Sequence, residues 1–191
     1  MAITRLGGAN AITGTLPAAN INDTSIGNIT ALPAGVGGKV LQVVQNSSSS
    51  QFSQSGPTTG TVYYPPTNKI SASITPSSTS SKIIIKYVST MRINHGTNTD
   101  VGVALAVKET ISGGSTTEIK PDANAYASGF YDSNVDDGSN YRVRLTDIVY
   151  RTPSTTSAIT YEVGVFGYNA TLLYLNDDSS RGEIVLMEIA G

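Results

Sequence analysis

Cysteine is absent from the 191 residues and histidine occurs once, at His95. No disulfide and no thiolate metal site can form, and the sequence gives no reading of the redox compartment. Charge is scarce too. Charged residues are 14% of the chain, and 12 Lys and Arg against 14 Asp and Glu leave a net charge of -2. The basic footprint of a nucleic-acid binder is missing, so polyanions are not expected partners. No apolar run approaches the ~18 residues of a membrane helix, and no membrane insertion is expected. The opening MAITRLGGANAITG lacks the apolar stretch of a secretory signal. A soluble protein made in a cytoplasm is the expectation.

Gly, Pro, Ser, Thr and Asn interrupt the chain throughout, and apolar residues do not recur at helical spacing. That pattern predicts an all-β fold of many short strands. The first 38 residues differ from the rest. Leu16-Pro17-Ala18 recurs as Leu32-Pro33-Ala34 and Ile12-Thr13 as Ile29-Thr30, with few apolar residues between. Such a segment cannot offset its own ordering entropy, so residues 1–38 read as an extended arm that orders against another chain.

Strand signals become regular from Lys39. Strands are predicted at 39–45, 61–64, 69–74, 82–88, 101–107, 116–119, 126–131, 141–150, 159–166, 172–175 and 182–191, with a polar Ser-rich loop over 46–55 and a turn at 75–81. About ten strands suit a two-sheet jelly roll over 39–191. In Val101 to Val107 the face Gly102, Ala104, Ala106 is small enough for a second sheet or a partner to approach closely. In Tyr141 to Tyr150, Asp147 breaks an inward row, and a bulge there is expected to return Ile148 or Val149 to the core. The last strand, GEIVLMEIAG, is apolar on both faces: Ile184 and Leu186 on one, Val185, Met187 and Ile189 on the other. It needs cover on each side, which predicts a central position in its sheet and makes Ile184, Leu186, Met187 and Ile189 candidates for core or subunit interface.

Catalytic chemistry finds little support. His95, in Arg92-Ile93-Asn94-His95-Gly96, has no partner in sequence and reads as a solvated loop histidine. The acidic turns Asp136-Asp137-Gly138 and Asn176-Asp177-Asp178 lack the alternating ligands of a Ca²⁺ loop, and Asx residues favour turns for backbone reasons alone. No metal or cofactor is expected. Glu118, Asp147, Glu162 and Glu183 lie on different strands, and no spacing selects the pair that glycoside hydrolysis requires. Gly35-Val36-Gly37-Gly38 precedes a strand, so a phosphate-binding loop fails its context. Surface recognition has better candidates in Tyr126, Phe130 and Tyr131, with His95 beside them on another loop.

Three passages, Ser73 to Val88, Ile148 to Val165 and Leu173 to Gly191, together resemble the C-terminal head domains of phage tail-fibre-like virion proteins. Gly14 to Thr30 is similar to connecting sequence in phage fibre proteins. The resemblance implies a jelly roll similar to the heads of tumour necrosis factor and C1q, assembled as a homotrimer. It further implies a non-enzymatic protein of the virion, assembled in the host cytoplasm. Its partners would be its own copies, other virion proteins through residues 1–38, and a host surface glycan or protein. With only 38 residues before the head there is no room for a long shaft. A capsid decoration or tail structural role therefore stands beside host adsorption, and a polysaccharide depolymerase stands further off.

Overall fold

The computed structural model describes residues 40–97, 100–120, 129–133 and 140–191. Arm residues 1–38 and Tyr126 lie outside them. The described chain is all-β, in eleven strands: β1 Val40–Ser48, β2 Phe52–Ser55, β3 Ser71–Ile74, β4 Lys82–Asn94, β5 Val101–Ile111, β6 Thr116–Ile119, β7 Phe130–Asp132, β8 Asn140–Arg151, β9 Ile159–Tyr168, β10 Leu172–Leu175 and β11 Gly182–Ile189.

The eleven strands form eight ribbons. β10 and β11 run in sequence along one edge of β4, through Leu172↔Asn94 to Leu175↔Met91 and then Glu183↔Val88 to Ile189↔Lys82. β1 and β2 pair outside them, and β8 runs along the other edge of β4. The second sheet is β3, β9, β5, with β6 and β7 sharing the far edge of β5. Counted as ribbons, the orders are 1-8-3-6 and 2-7-4-5, the double Greek key of a jelly roll. Every ladder is antiparallel, and alternate residues of the two inner faces make one core from Ile83, Ile85, Tyr87, Met91 and Ile93 against Val103, Leu105, Val107, Tyr161, Val163 and Val165.

Asn176 fills the gap between β10 and β11. It sits at φ 54, its side-chain oxygen accepts from Ser89 Oγ at 2.8 Å, and its amide donates to the carbonyls of Ser48 and Ser50. A Cβ on Gly182 would lie 2.3 Å from that side-chain oxygen, so the strand restarts with glycine.

Several elements differ from the sequence expectation. The Ser-rich stretch 46–55 is largely strand: its polar side chains need no core because the ribbon lies at a sheet edge, and Ser48 Oγ donates to the Asn68 carbonyl. Thr61 to Tyr64 makes only a bridge, Tyr63↔Val165, and serves as a strap. Val62 and Tyr64 pack there with Ala104, Ala106 and Phe166, so the small-residue side of β5 is covered by the chain's own strap. No bulge occurs near Asp147. The β4–β8 register is continuous, Asp147 stays inward where it accepts from Tyr87 Oη at 3.2 Å, and Val149 is already in the inward phase. Burial, and then the Asp147 carboxylate beside it, push the Tyr87 hydroxyl pKa up.

Glu188 is the polar member of the β11 inward row and is fully buried. It accepts from Ser81 Oγ at 2.6 Å, from Ser77 N and Oγ at 2.7 Å each, and from Gln42 Nε2. Burial pushes its carboxyl upward, but hydrogen bonds from Ser81, Gln42 and Ser77 outweigh that and hold it at about 2, below the ordinary 4.5. Between those values the unfolded chain binds the extra proton, so stability falls as pH drops from 4.5 toward about 2. Urea denaturation at pH 7 and pH 3 should show this loss, and Glu188→Gln should remove much of the difference while lowering stability at pH 7 by about 2 kcal/mol. An unchanged pH difference in the variant would refute the assignment.

Candidate assembly interface

The outward face of the β1–β11–β4–β8 sheet is built by parity. Directly opposed residues in an antiparallel ladder share a face. Following the registers across the sheet gives one row Val43, Met187, Ile84, Tyr150 and the next row Gln45, Val185, Lys86, Ile148. A third begins Val40, Ile189, Lys82, with the irregular step at Leu41 beside it. One row is apolar from edge to edge. Val40, Leu41, Val43, Ile148 and Tyr150 are between 47% and 71% exposed, the large apolar side chains that a monomer seldom gathers on one face. The outward face of the other sheet differs: Ser73 and Thr160 hydrogen-bond there at 2.7 Å, and Glu162 is held by Lys69 and Lys108, each at 3.0 Å.

Toward the other end of the same face the chemistry changes from apolar to cationic. Arg92 and Arg142 are directly opposed across β4 and β8, an arrangement that repels unless a counter-charge intervenes. Asp177, 2% exposed, supplies it: Oδ1 is 3.2 Å from Arg92 Nε and Oδ2 accepts from Arg142 Nε. The Arg92 guanidinium also lies 3.9 Å from the Tyr174 ring centroid. Arg144 donates through Nη1 to Thr90 Oγ1 and to the Arg181 carbonyl, both at 3.2 Å. The acidic turn at 176–178 therefore serves as an arginine clasp.

The residues singled out from sequence divide among three environments. Ile184 and Leu186 are fully buried in the core, whereas Met187 and Ile189 point outward into the apolar face. The central position of the last strand, between β1 and β4, is as expected. His95 is fully buried, with its ring 6.5 Å from that of Tyr141, so the expected solvated loop histidine is corrected. The polar segment around it turns inward at the end of β4, where Ile93 and Tyr141 already build core. Phe130 is partly buried, 5.3 Å from the Tyr141 ring. Tyr131 is 40% exposed and donates to Asp100 Oδ2 at 3.1 Å. Val43, Ile148 and Tyr150 were not anticipated as face residues. Holding the outward phase of Arg142 and Arg144 through Ile148 to Tyr150, without a bulge, is the signal that finds them.

Two surface hollows, of about 190 and 370 Å³, lie at Gln45–Ser47 with Arg181–Val185 and at Ser50–Ser53 with Pro65–Asn68. The first has one carboxylate, Glu183, and the second has none, so neither presents the pair a glycosidase uses.

No protein-family model and no curated protein matches the chain. Among solved structures, the chain is similar to the VP2 subviral particle of infectious bursal disease virus at 17% identity and a TM-score of 0.38, over 78% of this chain and 33% of that one. It is also similar to structures of the Gx strain of that virus, at 13% identity and TM-score 0.34 over 78% and 37% of the two chains, and of the Gt strain, at 13% and 0.30 over 80% and 39%. The match spans under two fifths of those longer chains.

Proposed function

We propose that the protein is a structural component of a virion, assembled as a homotrimer through the outward face of the β1–β11–β4–β8 sheet and joined to the particle by residues 1–38. The observation that carries this reading is the row Val43, Met187, Ile84, Tyr150 with its exposed apolar flank. An apolar sheet face is stable in water only when something covers it, and a second copy supplies the same jelly-roll rigidity on the other side. Three copies, and the virion setting, follow from the resemblance of Ser73 to Val88, Ile148 to Val165 and Leu173 to Gly191 to phage tail-fibre-like heads. The finer role is host-surface adsorption: three weak sites on one rigid trimer bind a repetitive surface with avidity.

Light scattering of the full chain should give three times the 19.9 kDa chain mass. A monomer at physiological salt and micromolar concentration would overturn the reading. Host-cell binding should survive deletion of residues 1–38, while incorporation into particles should not. Particles that fall apart without the protein, alongside a trimer that binds no host cell, would point instead to capsid decoration or tail structure.

A further inference from the structure

The net charge of -2 conceals a segregation. Lys82, Lys86, Arg92, Arg142 and Arg144 lie on the outward face of one sheet, and Arg181 adjoins it. Their local counter-charges are Glu183, 3.0 Å from Arg181, and the buried Asp177. Among the described residues that leaves four cations against eight carboxylates elsewhere. The face is basic and apolar, and the other described residues carry a net negative charge.

The arginine end is also held in place with hydrogen-bonding capacity to spare. Arg142 is fixed through Nε to Asp177, and Arg144 through Nη1 to Thr90 and the Arg181 carbonyl. Among the described residues no hydrogen bond engages either terminal nitrogen of Arg142, or Nε and Nη2 of Arg144. A guanidinium fixed at one nitrogen and open at the others is pre-organised for a carboxylate.

If two copies met like on like at this end, arginine would face arginine, and like-charge juxtaposition opposes such a contact. The acidic surface must come from a different side of the next copy. Among the described residues, β7 stands at the edge of its sheet and offers one. Asp132 pairs with Val101 across the ladder, which places Asp100 beside it. Asp100 is steadied by Tyr131 Oη at 3.1 Å and by Asn169 Nδ2 at 2.6 Å, and the exposed Tyr131 ring lies 6.3 Å from that of Tyr168. Tyrosine and arginine are the side chains most enriched at the energetic centres of interfaces.

We infer that self-association is heterologous: the arginine end of one copy's β1–β11–β4–β8 face receives the β7 edge of the next copy, with Arg142 and Arg144 taking Asp132 and Asp100 beside Tyr131. The inference rests on the assembly reading above and gives it a direction. A face that meets a different face builds a ring, which closes at three copies where the rotation allows. The apolar row lies at the other end of the same face.

The absence of cysteine makes the test clean. Full-length Arg142→Cys and a differently tagged full-length Asp132→Cys are co-expressed and treated with a short bis-maleimide, because an arginine–aspartate pair holds its two backbones beyond the reach of a disulfide. The expected product is a thioether-linked pair carrying both tags on a denaturing gel. Wild type that is trimeric by light scattering, with no cross-tag link, overturns the inference and leaves the assembly reading standing. Wild-type monomer overturns both. A second arm uses charge: Arg142→Glu with Arg144→Glu should weaken association by about 30-fold or more, increasingly as salt is lowered. Adding Asp100→Lys and Asp132→Lys to the same chain should restore it. Unchanged association in the double Arg variant, or no recovery in the folded charge-swapped chain, counts against the pairing.

Discussion

Leu186→Asp is expected to yield no folded protein, whereas Met187→Asp, one position along the same strand, is expected to give a folded monomer. Leu186 points into the sandwich and is fully buried, packed with Ile85 and Ile184 in the central cluster. The change removes its apolar volume and places an unpaired carboxylate among hydrocarbons, together about 5 kcal/mol or more, which equals the whole stability of many domains. Met187 points the other way, between Val43 and Ile84. In an isolated protomer an aspartate there stays hydrated and costs about 1 kcal/mol or less. In an assembly that covers the row it becomes a buried, unpaired charge, and the trimer dissociates. Far-UV circular dichroism reads the first effect and light scattering the second. A Met187→Asp protein that remains trimeric would remove this face from the interface, and a well-folded Leu186→Asp would refute the inward phase of β11.

The two-period alternation of β4, β8 and β11 was legible because each of these strands has one face that must be apolar whatever surrounds it. The parity of Ile83, Ile85 and Tyr87, and of Ile184 and Leu186, followed directly from residue order. The misreadings came from treating polarity as a sign of loop and apolarity as a sign of core. Ser47 and Ser48 are strand residues at an edge. Ile148 and Tyr150 are exposed because their phase is outward, and sliding them inward would have turned Val149 out of the core. His95 was misplaced for a third reason: it is buried near Tyr141, which arrives from a strand 46 residues later, and that proximity has no local signature.

The pairing Arg92 opposite Arg142 was equally invisible, since register between β4 and β8 is set by the whole ladder. Without register, the turn Asn176-Asp177-Asp178 can only be weighed as a cation site or an Asx turn. With it, Asp177 becomes the counter-charge that lets two arginines face each other, and the surface they build becomes directional. Net charge, which argued against polyanions, said nothing about how the charges were distributed.

Arg151→Leu is expected to lower stability by about 3 kcal/mol, and adding Glu109→Leu to recover most of it. Glu109 of β5 is 2% exposed and accepts from Arg151 Nε at 3.0 Å and Nη2 at 2.7 Å, with Tyr161 Oη at 2.8 Å. Arg151 lies on β8, so this fork ties one sheet to the other. Burial pushes the Glu109 carboxyl up, but the bonds from Arg151 and Tyr161 prevail and hold it below its ordinary value. In the wild type this group therefore contributes stability above the unfolded pKa of 4.5, lost as pH falls through the lower folded value. Removing Arg151 leaves desolvation dominant, the folded pKa rises above 4.5, and the sign reverses: the variant gains relative stability as pH falls. The double variant loses both charges, packs two leucines between the sheets and should show neither dependence, while adding Tyr161→Phe removes the hydroxyl left without its acceptor and should raise stability equally at both pH values. Urea midpoints of wild type, Arg151→Leu, Glu109→Leu and the double variant at pH 5 and pH 7 complete the cycle. If Glu109→Leu recovers nothing in the Arg151→Leu background, the arginine acts through its packing and not through the buried charge.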